Sequence, residues 1–379
     1  MESKRWMYTV MITFPVLLSL MKSNVELEEE MDFSVFLQRD GIHGISLAFR
    51  DLEYDYYRQT CPEAESIVRE TVAIVFAQQK DVYAAFLRLF FHDCFTEGCD
   101  ASIFLDDSYG NKNYSIERQA IPNLTLRGID KIDIIKEELE NVCPGVVSCA
   151  DTLALATRDA ILLAGGPFYP VFTGRRDSTQ SYYDKAMTVI PSPFDNINRI
   201  LELFSFKGFD ERETVSLLGG HNVGKMSCDF IRSRLFNFSG TGKPDVSMAS
   251  DFINQIRLGC QENKKTIDDD EFPTHMTSKI MKKSTKGNLF SQFQSLSIPS
   301  GEAFDAHFYR NLLRGRGLLF ADQQLMADEK TARFVRVYAS DDGTIFRRDF
   351  AKAMVKMSNL GVLTGNLGQV RTKCSLPAI

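Results

Sequence analysis

One stretch decides how this 379-residue chain folds: Phe86-Leu87-Arg88-Leu89-Phe90-Phe91-His92-Asp93-Cys94-Phe95, which closes through Gly98-Cys99-Asp100. Arg88 and His92 are four residues apart, so a helix places them one above the other on the same face. The apolar residues around the pair would bury that face and exclude water. In a dry pocket an arginine can stabilise developing negative charge while a histidine moves a proton. Taken alone, the pair is equally compatible with a structural core histidine near a surface arginine.

The composition is that of an ordinary globular protein, with 44% hydrophobic and 25% charged residues. The formal net charge is −6, and no basic stretch offsets it, which argues against a nucleic-acid partner. Eight cysteines are present, but no Cys-x-x-Cys pair has a matching second half. A structural zinc site is therefore a poor explanation for them.

The N-terminus has the pattern of a secretory signal peptide. Lys4 and Arg5 precede an apolar run from Trp6 to Met21, which is short for a membrane span but typical of a signal-peptide core. We predict a signal peptide over residues 1–22. An uncleaved anchor is the alternative, because no clear cleavage site follows. No later segment is apolar enough to span a membrane, and a secreted chain would use its cysteines as disulfides.

The rest of the chain divides into an extension and one large domain. Residues 23–53 are acidic and lack a clear period, so we expect a flexible extension before a folded domain over residues 54–379. A lysine-rich stretch over 263–286, with Asp268-Asp269-Asp270 inside it, is predicted to be a solvated loop insertion. Alternating strands are few, and helical patterns dominate, which predicts an all-α fold. The predicted helices are 64–79, 83–94, 129–141, 148–164, 195–206, 211–218, 227–235 and 324–340.

A second histidine lies in a context suited to a haem pocket. His221 follows Gly219-Gly220 at the end of a short apolar helix. A haem iron needs one strong axial ligand, commonly a neutral imidazole, and an open opposite side for chemistry. The ligand imidazole usually donates its other N–H to a carboxylate, and Asp322, which has apolar neighbours, is a candidate. Spacing alone does not pair His221 with Asp322, and each residue could equally have a purely structural role.

Several motifs together resemble those of the class III secretory plant haem peroxidases, from Tyr56 through Cys374. The motifs are Leu87–Phe95, Val147-Ser148-Cys149-Ala150-Asp151, Gly174-Arg175-Arg176-Asp177-Ser178, Leu218-Gly219-Gly220-His221 and Ala321-Asp322-Gln323. The resemblance implies two helical lobes that sandwich one haem b. The order of the cysteines implies the disulfides Cys61–Cys143, Cys94–Cys99, Cys149–Cys374 and Cys228–Cys260.

The resemblance also implies roles in the distal half of the pocket. Arg88 and His92 would be the catalytic pair, with Phe91 on the pocket wall. Asn123 would accept a hydrogen bond from His92 and keep its other ring nitrogen free as a base. Glu117 would connect this network to a distal calcium ion. In the implied reaction, His92 carries a proton from one peroxide oxygen to the other while Arg88 stabilises the charge of the breaking bond.

On the proximal side, the resemblance implies that His221 binds the haem iron and that Asp322 is its hydrogen-bond partner. Pro191 falls where small aromatic donors approach the exposed haem edge. These donors would reduce the oxidised haem in two one-electron steps. One departure is Tyr169, which stands where the family has a tryptophan, so that Trp6 is the only tryptophan of the chain. Three glycosylation sequons begin at Asn113, Asn123 and Asn237, and Asn237 is the expected glycan site.

The two calcium sites implied by the resemblance differ in how many of their ligands this chain retains. The distal ligands would be Asp93, Gly98, Asp100, Ser102 and the Thr96 carbonyl, an oxygen set that suits a hard cation. At the proximal site, Asn222, Ser295 and Ile298 stand where the family has a threonine, an aspartate and a threonine, and two residues are inserted. Only Asp305 survives clearly. We therefore expect one tightly held calcium and a weak or empty proximal site, unless Asp268-Asp269-Asp270 substitutes for the lost ligands.

Function follows from the same resemblance. It implies a secreted, monomeric enzyme of the apoplast or cell wall that oxidises small phenolic donors with hydrogen peroxide. Its purpose would be peroxide removal under oxidative stress or the coupling of wall phenols. Two alternatives stay open: a haem-binding wall protein of the same fold with little turnover, and a disulfide scaffold that binds only a protein partner.

Overall fold

In this computed structural model the described residues are 52–106, 115–260, 297–301 and 304–378, with the backbone alone for 297–301. The predicted signal peptide, nearly all of the predicted extension and the loop insertion with Asp268-Asp269-Asp270 lie outside them. Leu52 is buried, and the backbone of Glu53 exchanges two hydrogen bonds with that of Thr173. The folded domain therefore includes at least two residues that we assigned to the flexible extension.

Helices make up most of the described structure, which confirms the all-α prediction. They are α1 (Ala64–Gln78), α2 (Val82–Thr96), α3 (Ile129–Val142), α4 (Cys149–Leu163), α5 (Tyr183–Val189), α6 (Ile197–Phe206), α7 (Glu211–Leu218), α8 (Arg232–Phe236), α9 (Ser250–Gly259), α10 (His307–Leu313), α11 (Phe320–Gln324), α12 (Glu329–Ala339) and α13 (Thr344–Met357). Strands β1 (Gly224–Ser227) and β2 (Ser297–Gly301) form one antiparallel pair.

Two of the helix predictions, those over residues 227–235 and 324–340, were wrong. Residues 227–235 begin at the end of β1, continue through a 3₁₀ turn over Cys228–Phe230 and become helical only in α8. The disulfide between Cys228 and Cys260 holds that turn, so tertiary structure overrides local pattern. Residues 324–340 are interrupted between α11 and α12, where Asp328 accepts a hydrogen bond from the Lys330 N–H and starts a new helix. Helices α5, α9, α10 and α13, and all of α11 but its last residue, were not predicted.

The helices pack as two groups around a shared apolar core. Helices α1, α2 and α3 each contact α4 or one another in the first lobe, and α7 packs against α12 and α13 in the second. Core side chains of both lobes belong to one continuous apolar cluster. The four disulfides implied by the resemblance are all present, namely Cys61–Cys143, Cys94–Cys99, Cys149–Cys374 and Cys228–Cys260. Within the described residues, no helix has the length and apolar character needed to span a membrane.

A buried polar network joins the first lobe to the end of α13. Asp151 accepts hydrogen bonds from Tyr57 Oη at 2.7 Å and from Arg175 Nη1 at 2.7 Å. Arg175 also donates to the Ser358 carbonyl through Nε at 3.1 Å and Nη2 at 2.5 Å. Because both charged groups are fully buried, loss of one partner would cost about 3–5 kcal/mol. The network fixes the lobes that flank the pocket.

Candidate active site

Helix α2 carries the distal pair on one face. His92 is buried, and the ring of Phe91 stacks on Phe95 at 4.1 Å and lies 6.0 Å from Phe204 of α6. These aromatic side chains hold the C-terminal half of α2 against α6. The apolar residues that predicted a buried helix face therefore form the wall beside the two polar side chains.

His92 is oriented by a short chain of hydrogen bonds. Its Nδ1 lies 2.6 Å from Asn123 Oδ1, and Asn123 Nδ2 donates to the Glu117 carbonyl oxygen at 2.8 Å. Since the amide oxygen can only accept, Nδ1 carries the proton and Nε2 is the basic nitrogen. Burial, reinforced by the Arg88 charge, lowers the pKa of His92 to about 3. The ring is therefore neutral near neutral pH and can accept a proton.

Arg88 is held by the loop that carries Asn123. Its Nη1 donates to the Thr125 carbonyl at 3.1 Å, and its Nη2 donates to the Pro122 carbonyl at 3.0 Å. Burial lowers the pKa of Arg88 to about 10, so the guanidinium stays charged at neutral pH. Both distal groups are thus fixed by the same short segment, which sets their positions relative to each other.

His221 lies in a 3₁₀ turn, Gly219–Asn222, directly after α7. A Cβ on Gly219 would lie 2.1 Å from Tyr309 Oη, so only glycine permits this turn to pack against α10. His221 Nδ1 is 2.7 Å from Asp322 Oδ1, and Asp322 is buried. Burial lowers the pKa of His221, but the Asp322 carboxylate outweighs this and the net pKa is raised.

His221 has an accessible ring surface although protein surrounds it, and we call the space beside that surface the cleft. Surrounding protein desolvates His221 strongly, yet 43% of its side chain is accessible. The accessible part of the ring therefore opens onto a space inside the molecule. Arg88 lowers the pKa of both His92 and His221, and His221 in turn lowers that of His92. The three groups lie within electrostatic reach of one another although no hydrogen bond joins the two sides.

The loop after α2 gathers the predicted distal calcium ligands. Asp93 Oδ2 accepts a hydrogen bond from the Ala101 N–H at 3.0 Å, and Asp100 Oδ1 accepts one from the Ser102 N–H at 3.0 Å. A Cβ on Gly98 would lie 2.2 Å from the Gly361 carbonyl oxygen, so glycine is required at this close approach. The Thr96 carbonyl accepts a hydrogen bond from Lys207 Nζ at 3.0 Å.

The distal loop buries three carboxyl groups close to one another, those of Asp93, Asp100 and Glu117. Burial raises the pKa of Asp93 well above its ordinary value, that of Asp100 to about 6 and that of Glu117 to about 8. Ser102 Oγ and Glu117 Oε1 are buried without a hydrogen-bond partner. In the described part of the chain no three acidic, histidine or cysteine side chains converge as a metal cluster. A cation here would bind two carboxylates and neutral oxygens, which fits calcium.

The residues predicted for the proximal calcium site bond to other protein groups. Asn222 Nδ2 donates to the Asp305 carbonyl oxygen at 2.6 Å. Asp305 Oδ1 accepts from the His307 backbone N–H at 2.7 Å and lies 2.6 Å from His307 Nδ1. Asn222 Oδ1 is buried without a hydrogen-bond partner. Ser295 and the Ile298 side chain lie outside the described structure.

Pro191 lies in the loop between α5 and α6 and is half-buried. Its neighbour Ile190 packs against Ala120, three residues before Asn123. On the other side, the Pro193 carbonyl accepts a hydrogen bond from the Ala321 N–H at 3.0 Å, next to Asp322. The loop therefore contacts both the segment that carries Asn123 and the segment that carries Asp322.

Four residues that contribute to this arrangement could not be singled out from the sequence. The Pro122 and Thr125 carbonyls fix Arg88, but backbone oxygens leave no trace in a motif. Phe204 of α6 packs on Phe91, but the apolar face of its helix has the same sequence pattern as any helix of the protein core. Arg234 donates to the carbonyls of Gly317 and Leu318, just before the helix with Asp322, and nothing in its local sequence indicates this.

Comparisons with known proteins point to one family. Residues 68–341, more than half of the chain, match the family model described as Peroxidase. Among curated proteins of Arabidopsis thaliana, "Putative Peroxidase 48" is 46% identical over 335 residues, covering 86% of this chain and 82% of the relative. Peroxidase 56 is 36% identical, covering 92% of this chain and 98% of the relative. Peroxidase 10 is 39% identical, covering 86% and 87%.

The chain belongs to the class III plant peroxidase family. It is an enzyme of the haem peroxidase type, as the sequence motifs predicted. Membership of this family implies haem and calcium as cofactors, and hydrogen peroxide and a reductant as substrates. The class III peroxidases to which it is similar are typically secreted proteins.

Proposed function

We propose that this peroxidase oxidises small phenolic donors with hydrogen peroxide and that Arg88, His92 and Asn123 form its catalytic group. The observation that carries the proposal is the His92–Asn123 hydrogen bond, which leaves the basic Nε2 for substrate. That base belongs to the same cleft as the His221–Asp322 pair.

The proposed chemistry uses these groups in order. His92 Nε2 takes the proton from one oxygen of hydrogen peroxide and returns it to the other, which leaves as water. Arg88 stabilises the negative charge that develops as the O–O bond breaks. Asn123 holds the imidazole in the tautomer that this transfer requires. Two donor molecules each give one electron and one proton, so that one peroxide yields two waters and two phenoxyl radicals.

On the proximal side, the residues fit a haem. His221 would bind its iron through Nε2, because Nδ1 is engaged by Asp322. The bound haem would supply the redox chemistry that amino-acid side chains lack. Asp322 raises the basicity of the imidazole, and Phe91 lines the cleft on the distal side. The Pro191 loop is the proposed approach for aromatic donors, since it contacts segments of both sides.

Purified protein tests this function directly. We expect a Soret band together with peroxide-dependent oxidation of guaiacol. A Soret band without turnover would support the haem-binding wall protein instead, and the absence of a Soret band would support a scaffold for a protein partner. The same preparation, run on a sizing column, tests the proposed monomer.

For calcium, we propose one tightly bound ion at Asp93, Thr96, Gly98, Asp100 and Ser102, near Glu117. The unpartnered Ser102 Oγ and the buried carboxylates support this site. We propose a weak or empty proximal site, because Asn222 directs an amide N–H at the Asp305 carbonyl and His307 engages the carboxylate. Calcium takes six to eight oxygens, and this pair offers few.

Metal analysis of the holoenzyme after dialysis against a mild chelator measures this difference. We expect one retained calcium per haem in the wild type and none in Asp100→Asn. The matched change Asp305→Asn should leave the count at one. Two retained ions in the wild type would contradict our interpretation of Asn222 and Asp305.

Secretion and processing are also part of the proposal. We propose that residues 1–22 are removed and that the enzyme acts in the apoplast or cell wall. Asn237 is exposed and is the proposed glycan site, whereas Asn123 is buried and bonded to His92, which argues against a glycan there. The Asn113 sequon lies outside the described residues.

Removal of the leader has a simple optical consequence. Trp6 is the only tryptophan of the sequence, so the secreted protein should lack tryptophan fluorescence altogether. The emission of the secreted protein is compared with that of the full chain produced without secretion. Both are measured in the haem-free form, because haem quenches tryptophan fluorescence. Tryptophan emission from the secreted form would mean that residues 1–22 remain attached.

A further inference from the structure

A buried guanidinium lies directly behind the His221–Asp322 pair. Arg234 in α8 is fully buried and donates through Nε to Asp245 Oδ2 at 2.8 Å. Its Nη1 donates to the carbonyl oxygens of Gly317 at 2.7 Å and Leu318 at 2.6 Å. These carbonyls immediately precede α11, the helix that carries Asp322.

One peptide group connects Arg234 to Asp322. The oxygen of the Leu318–Leu319 peptide accepts the hydrogen bond from Arg234, and its N–H, on Leu319, donates to Asp322 Oδ2 at 3.2 Å. The other carboxylate oxygen, Oδ1, is 2.7 Å from His221 Nδ1. A continuous path of hydrogen bonds therefore runs from the guanidinium to the proximal imidazole.

The path has a predictable electrostatic effect. Hydrogen bonds in series polarise one another, and they do so more strongly where water is excluded. A cation at the peptide oxygen makes the peptide N–H a stronger donor, so Asp322 becomes a weaker acceptor towards His221. A less basic partner leaves the imidazole less able to donate electron density to a metal. Asp245, bonded to Arg234, opposes this effect with its negative charge.

We propose that Arg234 and Asp245 are positioning residues that set the electron donation of His221 through the Leu318–Leu319 peptide and Asp322. The proposal rests on the proposed role of His221 as iron ligand and deepens it, because it locates the groups that tune that ligand. Burial lowers the pKa of Arg234 while Asp245 and Asp322 act in the opposite direction, so the charge of Asp322 is felt at the guanidinium.

The reduction potential of the haem iron in the purified holoenzyme tests this tuning with two variants. Arg234→Gln removes the positive charge and leaves Asp245, so the potential should shift to a more negative value. Asp245→Asn removes the negative charge and leaves Arg234, so it should shift to a more positive value. General loosening of the loop would move both variants in one direction, because both would weaken the His221–Asp322 hydrogen bond. Shifts of the same sign, or no shift, overturn the proposal.

Two further variants keep the test decisive. Arg234→Lys retains the positive charge, so its reduction potential should stay near that of the wild type. If Arg234→Gln does not fold, Arg234→Lys and Asp245→Asn still have different expected potentials. Asp322→Asn is the benchmark for the proximal assignment. An unchanged potential in Asp322→Asn would contradict the proposed pairing of Asp322 with an iron-bound His221. A shift in Asp322→Asn with none in Arg234→Gln or Asp245→Asn would overturn only the tuning.

Discussion

Replacing His92 by alanine is expected to slow the reaction with hydrogen peroxide by about 10²–10⁴-fold while the haem stays bound, since general acid–base catalysis contributes effects of that size. His92 is the distal imidazole of the cleft, and its Nδ1 is committed to Asn123. Alanine removes the base but none of the groups on the proximal side. Stopped-flow measurement of the pre-steady-state reaction with peroxide isolates this step from donor oxidation.

Two further variants give that result its meaning. His307→Ala removes another partly buried histidine, one whose ring bonds to Asp305, and should leave the peroxide rate unchanged. Arg88→Leu should slow the reaction as well, but by less, if the imidazole supplies most of the effect. A rate for His92→Ala within about tenfold of the wild type would remove His92 from the catalytic group.

The distal half of the site was accessible from sequence because a helix relates residues by fixed spacing. The interval between Arg88 and His92 was enough to place them on one face of α2, and the apolar residues around them predicted the buried wall. The contact of His92 with Asn123, 31 residues away, was not accessible in this way. It depends on the path of a loop, and only the family resemblance suggested it.

The proximal half depended almost entirely on resemblance. His221 and Asp322 are 101 residues apart, and part of the chain between them folds into β1, α8, α9 and α10. The region around Cys228 was predicted as a helix, but β1 and the Cys228–Cys260 disulfide determine its backbone. Arg234 lies in the same region. Its bonds to the Gly317 and Leu318 carbonyls need a structure, because a surface arginine and a buried one have the same local pattern.

Replacing His221 by alanine is expected to have the other large effect, namely the loss of haem or its weak binding with an altered Soret band. His221 is the imidazole that α7 and the glycine turn present to the cleft, and its Nδ1 is held by Asp322. Alanine would remove the only proposed bond between protein and iron. The measurement is haem content per chain and the Soret spectrum after purification, with the helical circular dichroism spectrum as the check that the domain has folded.

Asp322→Asn separates a ligand role for His221 from a merely structural one. Asparagine keeps the size of the side chain but removes its charge, so the haem should be retained. The iron reduction potential should rise, because a neutral partner makes the imidazole a weaker electron donor. If His221 only supported the fold, added imidazole would not restore the Soret band of His221→Ala. Imidazole supplies the missing ligand without rebuilding the turn, so recovery of the band would indicate that His221 binds the iron. Full haem retention in untreated His221→Ala would exclude such a bond.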